Sequence, residues 1–262
     1  MPKTRCIEEM SWPDFEVASR STDTVIIPMG SVEEEGPHLP LGVDSIVASE
    51  LAKKVSEVSE ILVAPLINVG YSDWHSGFAG TLNLRMDTLI GLLREICMGL
   101  ADNGMKRFLF LNPHVGNDAP IFSMATELRK KRIGIGAMVN LWQLASEMGK
   151  DIPSLHEKSF KHAGEIMTSV MLALRPELVD MEKAREDSLS SGIKEIEQEG
   201  PRKVKFKNYH VEIFRMSSEL NTTGVMGDPT RATPEKGEEI IRRWVSYIGD
   251  FVNVFKKVPL EF

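Results

Sequence analysis

Apolar positions in the first half of the chain fall into short unbroken runs, separated by stretches with helical spacing. Residues 24–29 (TVIIPM), 61–66 (ILVAPL), 107–112 (RFLFLN) and 135–141 each have strand length. Between them, Ile46, Val47, Leu51, Val55 and Val58 recur at the period of a helix that Asp44 and Ser45 can cap. Leu89, Leu92, Leu93, Ile96 and Leu100 mark a second helix over residues 86–103, stopped by Gly104. A third helix is predicted over 119–131, and a long amphipathic one closes the chain over 234–255. This alternation predicts an α/β fold with a mostly parallel sheet covered by helices on both faces. Ligands of such sheets sit beyond the carboxyl ends of the strands, which points to the segments after Met29, Leu66 and Leu111. Residues 182–207 break the pattern: they are charged, carry Gly and Pro, and read as an exposed insertion or mobile loop.

Composition narrows the function classes. The chain has 262 residues, 42% of them hydrophobic, enough for a sizeable core and expected to form one domain over 1–262. Lys and Arg number 31 against 38 Asp and Glu, a net charge of −7 with no basic run, so nucleic acid is not an expected partner. Cys6 and Cys97 are too few for a disulfide framework or a structural zinc knuckle. No apolar run approaches the ~18 residues of a membrane span and the opening residues lack a signal-peptide core, so a cytoplasmic protein without a membrane partner is expected.

Polar chemistry collects in the loops. Residues 30–44 carry Glu33, Glu34, Glu35, His38 and Asp44 among glycines and prolines that fix an irregular path. In extended backbone Glu33 and Glu35 point to one side and Glu34 to the other, while Asp44 can return from the start of the next helix. Carboxylates brought together repel unless a cation or a shared proton offsets them, so a metal ion is the simplest explanation. A solvated acidic loop with Asp44 as an ordinary helix cap is the competing reading. The second cluster is Asn112, His114 and Asn117; the third pairs His162 with Glu165, which share a face if both are helical. The fourth is the glycine-rich stretch 70–81, with Tyr71, Ser72, Asp73, Trp74 and His75.

Together these clusters resemble the creatininase (creatinine amidohydrolase) superfamily. Residues 30–44 are similar to its motif Gly-Ser-x-Glu-x-x-Gly-Pro-His-Leu-Pro-x-Gly-x-Asp, and residues 112–117 to its Asn-x-His-x-x-Asn run. Residues 162–165 match His-Ala-Gly-Glu, and Gly227, Asp228, Pro229, Ala232, Glu235, Lys236 and Gly237 resemble the C-terminal signature. The resemblance spans about residues 20–240. It implies a three-layer α/β/α sandwich, a homo-oligomer that is often a hexamer, and a centre of two metal ions drawn from zinc, manganese and iron. By position it implies that Glu33 and His114 bind one ion, that Asp44 bridges both, and that residue 35 binds the other. It places a proton-transferring histidine at His162, and Glu165 could complete the centre.

Three departures accompany the resemblance. Glu35 stands where the family has histidine, Gly116 where creatininase itself has a glutamate ligand, and Met167 where the second glutamate of His-Ala-Gly-Glu-x-Glu-Thr is usual. A carboxylate in place of imidazole adds negative charge, which favours a harder ion such as manganese or ferrous iron over zinc. The expected function is a metal-dependent hydrolase with one or two divalent ions (Zn, Mn or Fe) per protomer, acting on the carbonyl of a small cyclic or amide substrate. Glu33, Asp44 and His114 hold the primary ion, Glu35 and Glu165 hold or tune the second, and His162 protonates the leaving group. His38, Ser72, His75 and Asn117 are the residues expected to meet the substrate. Two other readings are a ring-opening C–C hydrolase of the 3-dehydro-scyllo-inosose type and a non-catalytic small-molecule binding protein with a degraded metal site.

Overall fold

The structure is a computed structural model that describes residues 4–157 and 160–261. In chain order its elements are α1 (Trp12–Ser19), β1 (Thr24–Pro28), α2 (Val43–Ser59), β2 (Leu62–Val63), α3 (Met86–Asp102), β3 (Arg107–Asn112) and α4 (Asp118–Lys130). There follow β4 (Ile135–Asn140), α5 (Leu141–Gly149), α6 (Glu165–Leu174), β5 (Ile196–Gln198), β6 (Lys203–Phe206), β7 (Tyr209–Glu212) and α7 (Pro234–Phe255). The main sheet runs β2-β1-β3-β4, all parallel.

Both faces of this sheet are covered. Alternate strand residues enter two separate cores, because side chains of a strand point to opposite faces. Ile26, Leu109 and Leu111 pack with Val47 and Leu51 of α2, Val170 of α6, and Trp244 and Ile248 of α7. Val25, Ile27, Phe108 and Phe110 pack on the other side with Leu89 and Leu93 of α3 and Met124 and Leu128 of α4. Strands buried on both faces lose the polar alternation, which is why these runs read as continuously apolar. Burial of each such side chain is worth about 1.5–3 kcal/mol. The result is the expected three-layer α/β/α sandwich. Among the described residues, no helix is long and apolar enough to cross a membrane.

Local details depart from the sequence expectations in ways that matter for the site. The run at 61–66 yields a strand of two residues only, since Pro65 cannot donate to a ladder; a single bridge, Met29 to Ile67, extends the pairing. Gly42, not Asp44, precedes the first turn of α2, so the Asp44 carboxylate is free of capping duty. His162 lies before α6 rather than in it, and Ala163 takes a left-handed conformation (φ 52°), so His162 and Glu165 do not share a helix face. The segment 182–207 is not a loop throughout. It contributes β5 and β6 to a three-stranded antiparallel sheet that continues through β7 to Glu212. In β6 Val204 is buried while Lys203 and Phe206 are exposed, so a single apolar position, easily hidden in a charge-rich composition, anchors the strand.

Candidate metal centre

The strand order reverses around β1, with β2 on one side and β3 on the other, which opens a crevice at the carboxyl ends of β1 and β3. The loop after β1 delivers Glu33, Glu34 and Glu35; the first turn of α2 delivers Asp44; the segment after β3 delivers His114. The loop following β2 brings His75, and the turn before α6 brings His162. Asn117 ties three of these loops together. It accepts from the Tyr71 N–H (3.0 Å) and donates to the Gly30 carbonyl (3.0 Å) and the Asn112 side chain (3.3 Å).

Glu33, Asp44 and His114 are all buried, and their ligand atoms lie within 4.8 Å of one another. His114 Nε2 is 2.8 Å from the Tyr71 carbonyl oxygen, which can only accept, so this nitrogen carries the ring proton. Nδ1 is then a lone pair in the neutral ring, 3.2 Å from Glu33 Oε1 and 3.4 Å from Asp44 Oδ2. A lone pair aimed at two carboxylate oxygens is repulsive unless a cation or a second proton lies between them. Without a metal the proton takes that place: burial opposes the imidazolium, but Glu33 and Asp44 hold it well above the ordinary histidine range. Asp44 is fixed from outside, accepting from Ser31 Oγ (2.9 Å) and Trp142 Nε1 (2.9 Å). Gly116 has no room for a longer residue, because a Cβ there would lie 2.1 Å from the Tyr71 carbonyl oxygen.

A second group, Glu33, His75 and His162, meets the same distance limit. His75 Nδ1 lies 2.6 Å from Glu34 Oε1, and its Nε2 lies 3.6 Å from Glu33 Oε1. His162 Nε2 lies 2.9 Å from the Glu34 carbonyl oxygen and 3.4 Å from both Glu34 Oε1 and Glu35 Oε2. Burial works against the charge of both Glu34 and His162, yet their pairing prevails: Glu34 is lowered to about 2 and His162 raised to about 9. Glu35 lacks such help. Burial, then Asp44, Glu33 and Glu34, push its carboxyl well above the usual range.

The donors fit a divalent cation. Glu33 Oε2 is buried with no hydrogen-bond partner, a costly state for a carboxylate that a positive ion would relieve, while the equally partnerless Glu35 is relieved by keeping its proton. Among the described residues, no lysine or arginine forms an ion pair with Glu33, Glu34, Glu35 or Asp44.

The remaining sequence candidates divide. Ser72 Oγ sits 3.4 Å from His114 Nε2, behind the ring rather than in front of it. His38 is buried with Nε2 2.9 Å from Thr168 Oγ1; burial and then His162 lower it to about 4. Asn117 is fully buried, with its amide spent on the loops. Glu165 does not join the centre: Lys236 Nζ (2.7 Å) and the N–H groups of His156 (2.9 Å) and Glu157 (2.7 Å) take up its carboxylate. Glu34, expected to point away, is the residue that sequence reasoning missed. The extended alternation held for Glu33 and Glu35, but the loop turns at Gly36 (φ 71°) and carries Glu34 into contact with the two histidines. Its one sequence signal was a position amid residues already singled out.

Comparison with known proteins gives a consistent result. The family model described as creatinine amidohydrolase matches residues 8–252. Creatinine amidohydrolase of Pseudomonas putida is 28% identical over 270 residues, covering 96% of this chain and 97% of that protein. Mycofactocin precursor peptide peptidase of Mycobacterium tuberculosis is 30% identical over 238 residues, covering 86% and 82%. The 3-dehydro-scyllo-inosose hydrolase of Thermotoga maritima is 28% identical over 252 residues, covering 92% and 80%. Among solved structures, a mutant creatininase of Zn–Zn type superposes with a TM-score of 0.78 at 25% identity, over 97% of this chain and 98% of that one.

Proposed function

Because the chain belongs to the creatininase family, we propose that its centre hydrolyses an amide-type C–N bond in a small cyclic or linear substrate. The family relation makes it a metal-dependent hydrolase; the bond cleaved and the residue roles are the proposal. The observation that carries it is the convergence of Glu33, Asp44 and His114, with the His114 Nδ1 lone pair bared by the Tyr71 carbonyl. A divalent cation held there supplies Lewis acidity toward the carbonyl and lowers the pKa of water.

The chain's own residues account for the rest. Ser31, Trp142 and Tyr71 lock Asp44 and His114 in place, so no side-chain ordering is required when substrate arrives. Water adds to the carbonyl carbon and gives up a proton; the C–N bond breaks and the leaving nitrogen needs one. Glu35 is the group placed to carry it, since neither of its oxygens is engaged in a hydrogen bond and Oε2 lies 3.4 Å from His162 Nε2. His162, the expected donor, already has Nε2 against the Glu34 carbonyl. A nitrogen leaving group agrees with the names of the Pseudomonas and Mycobacterium relatives.

The test is metal content by mass spectrometry on chelator-free protein, followed by turnover of creatinine, formamide-type amides, short peptides and inososes. Metal together with amide turnover supports the reading. Turnover of inososes alone would move the leaving group from nitrogen to carbon. Protein that binds no manganese, iron or zinc would leave the non-catalytic binding protein.

A further inference from the structure

We propose that the open edge of β7 docks an extended acidic peptide segment as a fourth strand of the small sheet, whatever bond the metal centre cleaves. The sheet β5-β6-β7 ends at β7, and among the described residues only β6 pairs with it. Phe206 and Tyr209 flank the two-residue turn Lys207–Asn208, and Val204 and Val211 face each other two residues on. The Ile213 N–H donates to the Arg202 carbonyl (2.9 Å), so Tyr209, Val211 and Ile213 are the residues bonded to β6. The N–H and C=O groups of His210 and Glu212 therefore point away from β6, an unpaired template for another strand.

The side chains agree with a strand partner. Tyr209 and Val211 share one face of the sheet with Phe206 and Val204, their partners in β6. Of these four only Val204 is buried, and Tyr209 is 79% exposed. An apolar face left this open marks an interaction surface. The charges between β5 and its neighbours are closed on themselves: Lys203 pairs with Glu199 (3.0 Å), Lys205 with Glu197 (3.5 Å) and His210 with Glu199 (3.0 Å).

What remains beside the open edge is positive. Residues 202–215 carry five basic side chains and one acidic one, on a chain whose net charge is −7. Arg202 and Lys207 lie over the rings of Phe214 (5.6 Å) and Phe206 (5.4 Å) and form no ion pair among the described residues. They bracket β7, separated by roughly 17 Å, the rise of five strand residues. A peptide with carboxylates at that separation answers both cations while its main chain pairs with His210 and Glu212. A phosphate chain has the charge but lacks strand N–H groups. The edge also leads toward the metal centre. Just past β7, the Arg215 carbonyl accepts from Trp74 Nε1 (2.7 Å), and the Trp74 ring stands edge-on to His75 (centroids 4.7 Å apart).

The experiment titrates the full chain into a fluorescein-labelled peptide, Glu-Glu-Thr-Val-Thr-Val-Thr-Glu-Glu, and reads anisotropy. Its threonines and valines continue the two faces of the sheet, and its glutamates are spaced for Arg202 and Lys207. Saturable binding is expected, lost when the peptide is N-methylated at its threonines or carries lysine in place of glutamate. Arg202→Glu combined with Lys207→Glu should weaken binding by about 10-fold. His210→Pro removes an outward N–H but spares the β6 ladder, and should weaken it by about 2–10-fold. The N-methylated peptide keeps the test decisive even if a variant misfolds. No saturable binding, or binding indifferent to N-methylation, would overturn the proposal. So would binding of phosphatidylserine vesicles or single-stranded RNA with the peptide ignored, which would assign the positive edge to phosphate. Sedimentation that shows dimers of the parent chain, dissolved by His210→Pro, would overturn it in favour of a second copy.

Discussion

Two buried acidic clusters flank the short segment from His162 to Glu165, and they are compensated in different ways. At the head of α6, Glu165 is met by the Lys236 ammonium and two backbone N–H groups, and burial and Glu165 raise the carboxyl of its neighbour Glu157 to about 8. Charge there is balanced by Lys236 and by the raised carboxyl of Glu157, of which a single oxygen, Oε1, is buried without a hydrogen-bond partner. At the sheet edge, Glu33, Glu34, Glu35 and Asp44 face three histidines, and three carboxylate oxygens stay without partners. A buried carboxylate with a fixed cation beside it serves the fold. One that lacks it is stabilised by something the chain does not encode, and sites of function are where such debts are tolerated.

The contrast breaks most sharply at Glu33. Glu33→Ala removes the donor shared by both groups, so bound metal and hydrolysis should both fall to background, read by mass spectrometry and turnover. Retained metal would mean that the centre lies elsewhere. Glu35→Gln should preserve metal content while lowering turnover by about 10²–10⁴-fold, the usual range for loss of a proton-transfer group. Unchanged turnover would remove Glu35 from the chemistry.

Lys236→Met tests the other cluster. It strips the partner from a carboxylate that is 1% exposed, which costs about 3–5 kcal/mol of stability. Denaturant unfolding should show that loss with metal content unaltered; a variant that also sheds metal would erase the distinction between the clusters.

The smallest effect is expected at Glu157. Its folded-state value of about 8 lies above the ordinary 4.5, so between these values the folded chain keeps a proton that the unfolded chain has released. The resulting stability is complete below pH 4.5 and is lost as pH rises through about 8. Glu157→Gln can still accept from the Ile166 N–H and should flatten that slope without changing turnover. A slope that survives the substitution would assign it to another group.

The elements were legible because each reports locally. The runs at β1, β3 and β4 and the spacings of α2, α3 and α7 needed no knowledge of neighbours, and their bounds shifted by a residue or two. The chain was less legible where a partner decides. Charge-rich composition hid β5–β7, since Val204 is buried only once the small sheet exists. Asn117 looked like a contact for substrate because a buried asparagine and a binding one have the same letter; three loops had to converge before its amide could be spent on them.

From the sequence alone came the β-α alternation, the placing of chemistry after the strands, the family motifs, and Glu33, Glu35, Asp44 and His114 as one group. These are consequences of period, spacing and residue type, which a linear chain carries in full. Only the tertiary structure decided that Glu34 turns inward, that His75 joins Glu33, and that Glu165 turns to Lys236 instead. The physical reason is that a side chain's protonation and role are set by what lies within a few ångströms of it. Residues 34 and 75, or 165 and 236, become neighbours only after the loops close over the sheet.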